Sequence, residues 1–175
     1  MLQDSDEALM GRYIDGGDRD AFRTLFDRYG DRLHRFFARS AGEDVAADLV
    51  QTTFLYLHRA RRDFDRRRAL RPWLFAIACN ARREHWRVQR RRAEDPLDEG
   101  QEGVSPPATS TVRDRLVRRA LETLPEHQRE VMVLRWYGEL SFAEIAAALG
   151  IRTNAAKVRA HRAHRQLRTI LGGEP

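Results

Sequence analysis

Apolar residues recur at helical spacing along nearly the whole chain. Leu9 and Tyr13 are followed by Phe22, Leu25, Phe26 and Tyr29, then by Val45 and Leu49, then by Leu70, Leu74, Ile77 and Ala81. Steps of three and four put each set on one face of an amphipathic helix, and no segment alternates long enough to read as a strand. The punctuation agrees: Asp18 and Asp20 open one helix, "SAG" at residues 40–42 closes it, and Pro72 suits the first turn of another. The pattern predicts an all-α protein.

Between Ala93 and Thr111 the periodicity stops at "AEDPLDEGQEGVSPPATST", which is rich in acid, Pro, Gly and Ser and holds no basic residue. A flexible linker over 93–112 is expected, separating a helical domain at 1–92 from a second one at 113–175. Fully extended, it reaches roughly 60 Å at most, enough for the two domains to grip points more than one turn of DNA apart.

Charge adds a partner to this picture. The 175 residues carry a formal net charge of +6, and Lys157 is the only lysine. Arginine suits bidentate phosphate and guanine contacts, so a polyanion is expected, although a GC-rich genome would favour the same residue. Cys79 is the only cysteine, which leaves no intramolecular disulfide or zinc site and fits a reducing cytoplasm. No stretch approaches a membrane span, and the start "MLQDSDEALM" is acidic, unlike a signal peptide.

The second domain contains a recognisable order of helices. Val131 and Leu134 lie on a first helix ending near Gly138; Ser141 caps a short second one holding Ile145, Ala146 and Leu149; Gly150 turns the chain; and a third begins around Thr153. That is a helix-turn-helix. On its third helix Ala156, Ala160, Ala163 and Leu167 share one face, small enough to sit close against the scaffold. Asn154, Lys157, Val158, His161, Arg162 and Arg165 take the other side, where asparagine and arginine read base edges and valine meets a thymine methyl. His161 and His164 stand three apart without a third ligand, and Asp44 and Asp48 are helical neighbours without a partnering histidine, so neither a metal centre nor a catalytic site is expected.

Three stretches of the first domain, "DAFRTLFDRYGDRLHRFFAR" from Asp20, "DVAADLVQTTFLYLHRARRDFD" from Asp44 and "LRPWLFAIACNARREHWR" from Leu70, make the chain resemble the extracytoplasmic-function group of bacterial sigma factors. The first half resembles sigma region 2 and "LPEHQREVMVLRWYGELSFAEIAAALGI" from Leu124 resembles region 4, joined by a linker without a middle domain. The resemblance implies a promoter-specificity subunit, no enzyme and without a cofactor, that binds core RNA polymerase and promoter DNA as duplex and as melted non-template strand. It implicates Asp48, Leu49, Gln51 and Phe54 in docking on the clamp helices of the polymerase's largest subunit.

It also explains a mixed segment, "RRALRPWLFAIACNARREHWRVQRRR" at 67–92, which is half apolar core and half polycation. An unpaired base offers a π-face and a free hydrogen-bonding edge, and its backbone seeks positive charge. By the resemblance Phe64 and the loop "DFDRRRAL" form a base pocket, Asn80 reads the minus-ten element, and Arg82, Arg83 and Arg87 track phosphates. Trp73 and Trp86 are expected to pack inside the domain rather than stack on bases. In region 4 the resemblance adds Arg159 to the minus-thirty-five contacts. There the usual Gly-Thr-Val-Lys-Ser-Arg is replaced by Asn154, Ala155, Ala156, Lys157, Val158 and Arg159, which removes a hydroxyl at Ala155 and leaves the preferred sequence open. A cognate anti-sigma factor is a further implied partner, one that would hold the chain in the cytoplasm or at the inner membrane. Two alternatives stay open at this point: a stand-alone helix-turn-helix regulator, and a sigma-like protein that only sequesters its regulator.

Overall fold

A computed structural model describes residues 4–94 and 112–172. Among them the chain is helical: α1 (Asp6–Gly16), α2 (Arg19–Ser40), α3 (Glu43–Ala60), a 3-10 turn (Arg61–Asp63), α4 (Leu70–Glu94), α5 (Val112–Thr123), α6 (Glu126–Trp136), α7 (Phe142–Leu149) and α8 (Thr153–Ile170). The linker expected over 93–112 falls mainly on residues outside those described; α4 continues through Glu94 and α5 opens at Val112.

Local chemistry sets several helix ends. The Ser5 hydroxyl accepts from Ala8 N–H at 3.1 Å, and Asp18 accepts from Asp20 and Ala21 N–H, each at 3.0 Å, so both helices start on a side-chain cap. Gly17 at φ 65° and Gly150 at φ 64° take the left-handed conformation that ends a helix cleanly. Ser141 and Glu144 form a reciprocal capping box on α7. The start of α4 is capped from a distance: Leu70 N–H donates to the Glu7 carboxylate at 2.9 Å, tying α4 to α1.

The apolar faces close on one another in a continuous core running through both halves. Phe36 lies edge-on to Phe75 at 5.4 Å and to Phe37 at 5.1 Å, all three fully buried. Beneath α3, Phe54 packs against Phe22 and Phe26 of α2, with ring centroids 5.8 and 4.7 Å away. Leu70, Leu74, Ile77 and Ala81 are buried as their spacing predicts, and so is Cys79, whose thiol burial pushes up to about 12. Ala156, Ala160, Ala163 and Leu167 seat α8 against its scaffold.

The two halves meet at α4. Gly138, just after α6, fits against Phe75, and an added Cβ there would lie 3.2 Å from the Phe75 ring, 3.0 Å from Leu140 and 2.8 Å from the Leu134 carbonyl. Gly138→Ala is therefore expected to cost about 1–3 kcal/mol, read as a lowered urea midpoint at unchanged slope.

Candidate functional site

Three surfaces carry the residues singled out by sequence. The first is the outer face of α3. Asp48 and Gln51 are exposed there, one turn apart, as polar contacts require. Leu49 and Phe54 are elsewhere: both are 4% exposed and belong to the core beneath that face. The apolar side chain that does stand beside Asp48 and Gln51 is Leu55, 46% exposed. Its place four residues after Gln51 was the available signal, masked because α3 has apolar residues on several sides.

The second surface is α4 with the loop before it. Phe64 is buried, its ring 5.0 Å from that of Trp73, so the pair forms a floor and not an exposed stacking platform. The loop is pinned by its own charges. Arg66 is paired with Asp15 of α1, while Asp65 accepts from the Arg67 backbone N–H at 3.0 Å and Nε at 3.1 Å. Hydrogen bonding to the Arg67 side chain holds the Asp65 carboxyl below its ordinary value. Asn80, Arg83 and Arg87 lie exposed along one stripe of the helix. Arg82 is turned inward, 6% exposed, its Nε without a hydrogen-bond partner among the described residues. Trp86 is partly buried against His85, with ring centroids at 5.9 Å.

The third surface is α8. Asn154, Lys157, Val158, His161, Arg162 and Arg165 are all exposed, and Arg159 is half-buried. Asn154, Val158, Arg159 and Arg162 line a shallow groove together with His127 and Arg152. Sequence reasoning missed these last two: Arg152 precedes the helix, and His127 comes from the first turn of α6, brought alongside only by the tertiary fold. Unlike α7, α8 has no side-chain cap and no acid in its first turn. Its open N–H groups and partial positive charge face the basic groove, an arrangement that favours a phosphate. The His164 ring stands edge-on to that of Trp136 at 5.3 Å. Among the described residues no group of three or more His, Cys, Asp or Glu side chains could hold a metal ion, and no helix is long and apolar enough to cross a membrane.

The family model for Sigma-70 region 2 matches residues 25–92, and that for Sigma-70 region 4 matches residues 114–167. The RNA polymerase sigma factor CarQ of Myxococcus xanthus is 37% identical over 93% of this chain and 95% of its own length. The ECF RNA polymerase sigma factor SigF of Caulobacter vibrioides is 34% identical, with 92% and 90% covered. Among solved structures, CnrH in complex with the cytosolic domain of CnrY aligns at a TM-score of 0.72 and 31% identity, over 98% of this chain and all of that one. The sigma factor RpoE bound to the anti-sigma factor NepR, from Bartonella quintana, aligns at 0.65 and 25% identity, over 88% of this chain and 98% of that one.

Proposed function

This chain belongs to the extracytoplasmic-function group of RNA polymerase sigma factors, and from that membership we propose how its three surfaces divide the work of promoter recognition. The outer face of α3, with Asp48, Gln51 and Leu55, docks on the clamp helices of core polymerase; Leu49 and Phe54 hold that face in shape from below. The exposed side of α8, extended by Arg152 and His127, reads the minus-thirty-five element in the major groove and grips its phosphates. Asn80, Arg83 and Arg87 on α4 meet the minus-ten element and hold its non-template strand, while Phe64 and Trp73 support the loop that captures a base. The chain itself catalyses nothing; RNA synthesis is the polymerase's reaction. It works in the cytoplasm under an anti-sigma factor, as RpoE does when bound to NepR, and is held at the inner membrane if that partner is anchored there.

The observation that carries this reading is end-to-end correspondence with a sigma factor, coinciding with an exposed polar face on α3 and an uncapped, arginine-lined α8 in one chain. Run-off transcription tests it. With purified core polymerase and the promoter upstream of the protein's own gene, transcripts are expected only when the chain is added. No transcripts and no association with core polymerase would overturn the reading and leave the stand-alone regulator and the sequestering protein as the alternatives.

A further inference from the structure

The loop before α4 takes its shape from its own residues and its direction from α1. Inside the loop, Arg68 N–H donates to the Asp65 carbonyl at 2.9 Å and Arg67 N–H donates to the Asp65 carboxylate at 3.0 Å, so residues 65–68 close a tight turn. Such a turn fixes conformation but does not aim it. Two carboxylates of α1 do that. Arg66 donates from both terminal nitrogens to the two oxygens of Asp15, from Nη1 at 2.8 Å, and Leu70 N–H donates to Glu7 at 2.9 Å, across 51 and 63 residues of chain. Glu7, Gly11 and Asp15 follow at steps of four and form one ridge of the helix. The Arg66 guanidinium lies over the middle of that ridge, where a Cβ added at Gly11 would stand 3.9 Å from Arg66 Nη1.

The helix can act as this reference because it is itself fixed. Leu9, Met10 and Tyr13 are buried, and the Asp6 carboxylate accepts from Arg28 at 2.6 Å and from the Tyr29 hydroxyl, both on α2. We propose that Glu7 and Asp15 are positioning residues for base capture: without touching DNA, they hold the 64–69 loop in the orientation that receives an unpaired minus-ten base. The inference rests on the reading of that loop given above.

The energetics favour a role in placement over one in stability. The Arg66–Asp15 pair is solvent-exposed, so it adds little to folding, but its paired hydrogen bonds define a direction. The first turn of α4 has no acid of its own, and Glu7 supplies the missing acceptor from outside. A free loop between Asp63 and Leu70 would have to be ordered when the strand binds, which lowers affinity; the ridge orders it beforehand.

The test uses holoenzyme assembled from core polymerase and the full chain. Its probes are single-stranded oligonucleotides with the minus-ten non-template sequence of the protein's own promoter, one intact and a set with one abasic site at each position in turn, titrated by fluorescence anisotropy. For wild type, the abasic site that costs most, about tenfold, marks the captured base. Removing carboxylates eases repulsion of every probe alike, so the ratio of intact to abasic affinity is the readout. Glu7→Ala with Asp15→Ala is expected to lower that ratio from about tenfold to about twofold, because fewer molecules hold the loop in its competent orientation. Glu7→Gln, whose amide oxygen still accepts from Leu70 N–H, should keep the wild-type ratio, and core association should be unchanged in every variant. A double variant that kept the full ratio would overturn the proposal, since the loop would then be placed without α1. An equal fall in Glu7→Gln would overturn it by tracing the effect to charge. Should the double variant lose core association, Asp15→Ala alone, at the exposed pair, is read on the same arms; lost association there too would make the ridge a support of the whole domain and overturn the proposal. If no abasic site weakens binding of the wild type, base capture itself fails and the proposal with it, a result the wild-type titration reveals before any variant is made.

Discussion

Replacing Asp48 and Gln51 together by alanine is expected to weaken binding to core RNA polymerase by about tenfold or more, roughly 1.4 kcal/mol, while leaving the thermal midpoint of the free chain within a degree or two. Both side chains are exposed on α3, outside the buried core. Their loss should therefore register on the partner and not on stability. The contrast with their neighbours sharpens the test. Leu49→Ala removes a buried side chain and is expected to cost about 2–5 kcal/mol of folding stability, so its effect on polymerase binding would follow unfolding. Leu55→Ala should act like the polar pair, weakening docking at constant stability, because its side chain lies outside the core. Titration of labelled variants with core polymerase, beside denaturant melts of the same samples, separates the two behaviours.

The second large effect is expected on α8. Ala163 is fully buried where the recognition helix meets its scaffold. Ala163→Leu forces three more carbon atoms into close-packed space, costing about 1–3 kcal/mol and tilting or detaching the helix. Minus-thirty-five duplex binding should fall by tenfold or more together with the stability of the C-terminal half. Arg162→Ala, one residue away but exposed, is expected to lose duplex affinity without losing stability, by about 1–3 kcal/mol if it reads a base pair. Anisotropy with the duplex, paired with circular dichroism melts, tells a displaced helix from a missing contact.

How far the sequence alone carried these conclusions depended on the range of the interaction. The helix-turn-helix was legible almost to the residue, because Ser141, Glu144 and Gly150 act on backbone within four residues of themselves and the alanine face of α8 repeats at helical spacing. The core side of α4 was legible for the same reason. The inner and outer faces of α3 were not fully separable. Leu49, Phe54 and Leu55 are apolar alike, and only the packing of Phe54 against Phe22 and Phe26 decides which side turns inward. Helix α5 left no clear signature, since Val112 and Leu116 stay exposed, Val117 is only partly buried, and Ala120 and Leu121 are the fully buried apolar positions among its described side chains. Least legible was the seam. Nothing local in Arg71 or Arg83 announces a carboxylate 73 or 47 residues away, and both read naturally as free cations until the fold brings α6 and α7 onto α4.

Permanganate and nuclease footprinting of the protein's own promoter tests the central claim most directly. The account predicts that core polymerase and this chain together protect the minus-thirty-five region and render thymines near minus ten reactive, and that the chain alone opens no base pairs. Strong protection of an operator by the chain alone, with no reactive thymines when polymerase is added, would contradict it and establish a stand-alone DNA-binding regulator.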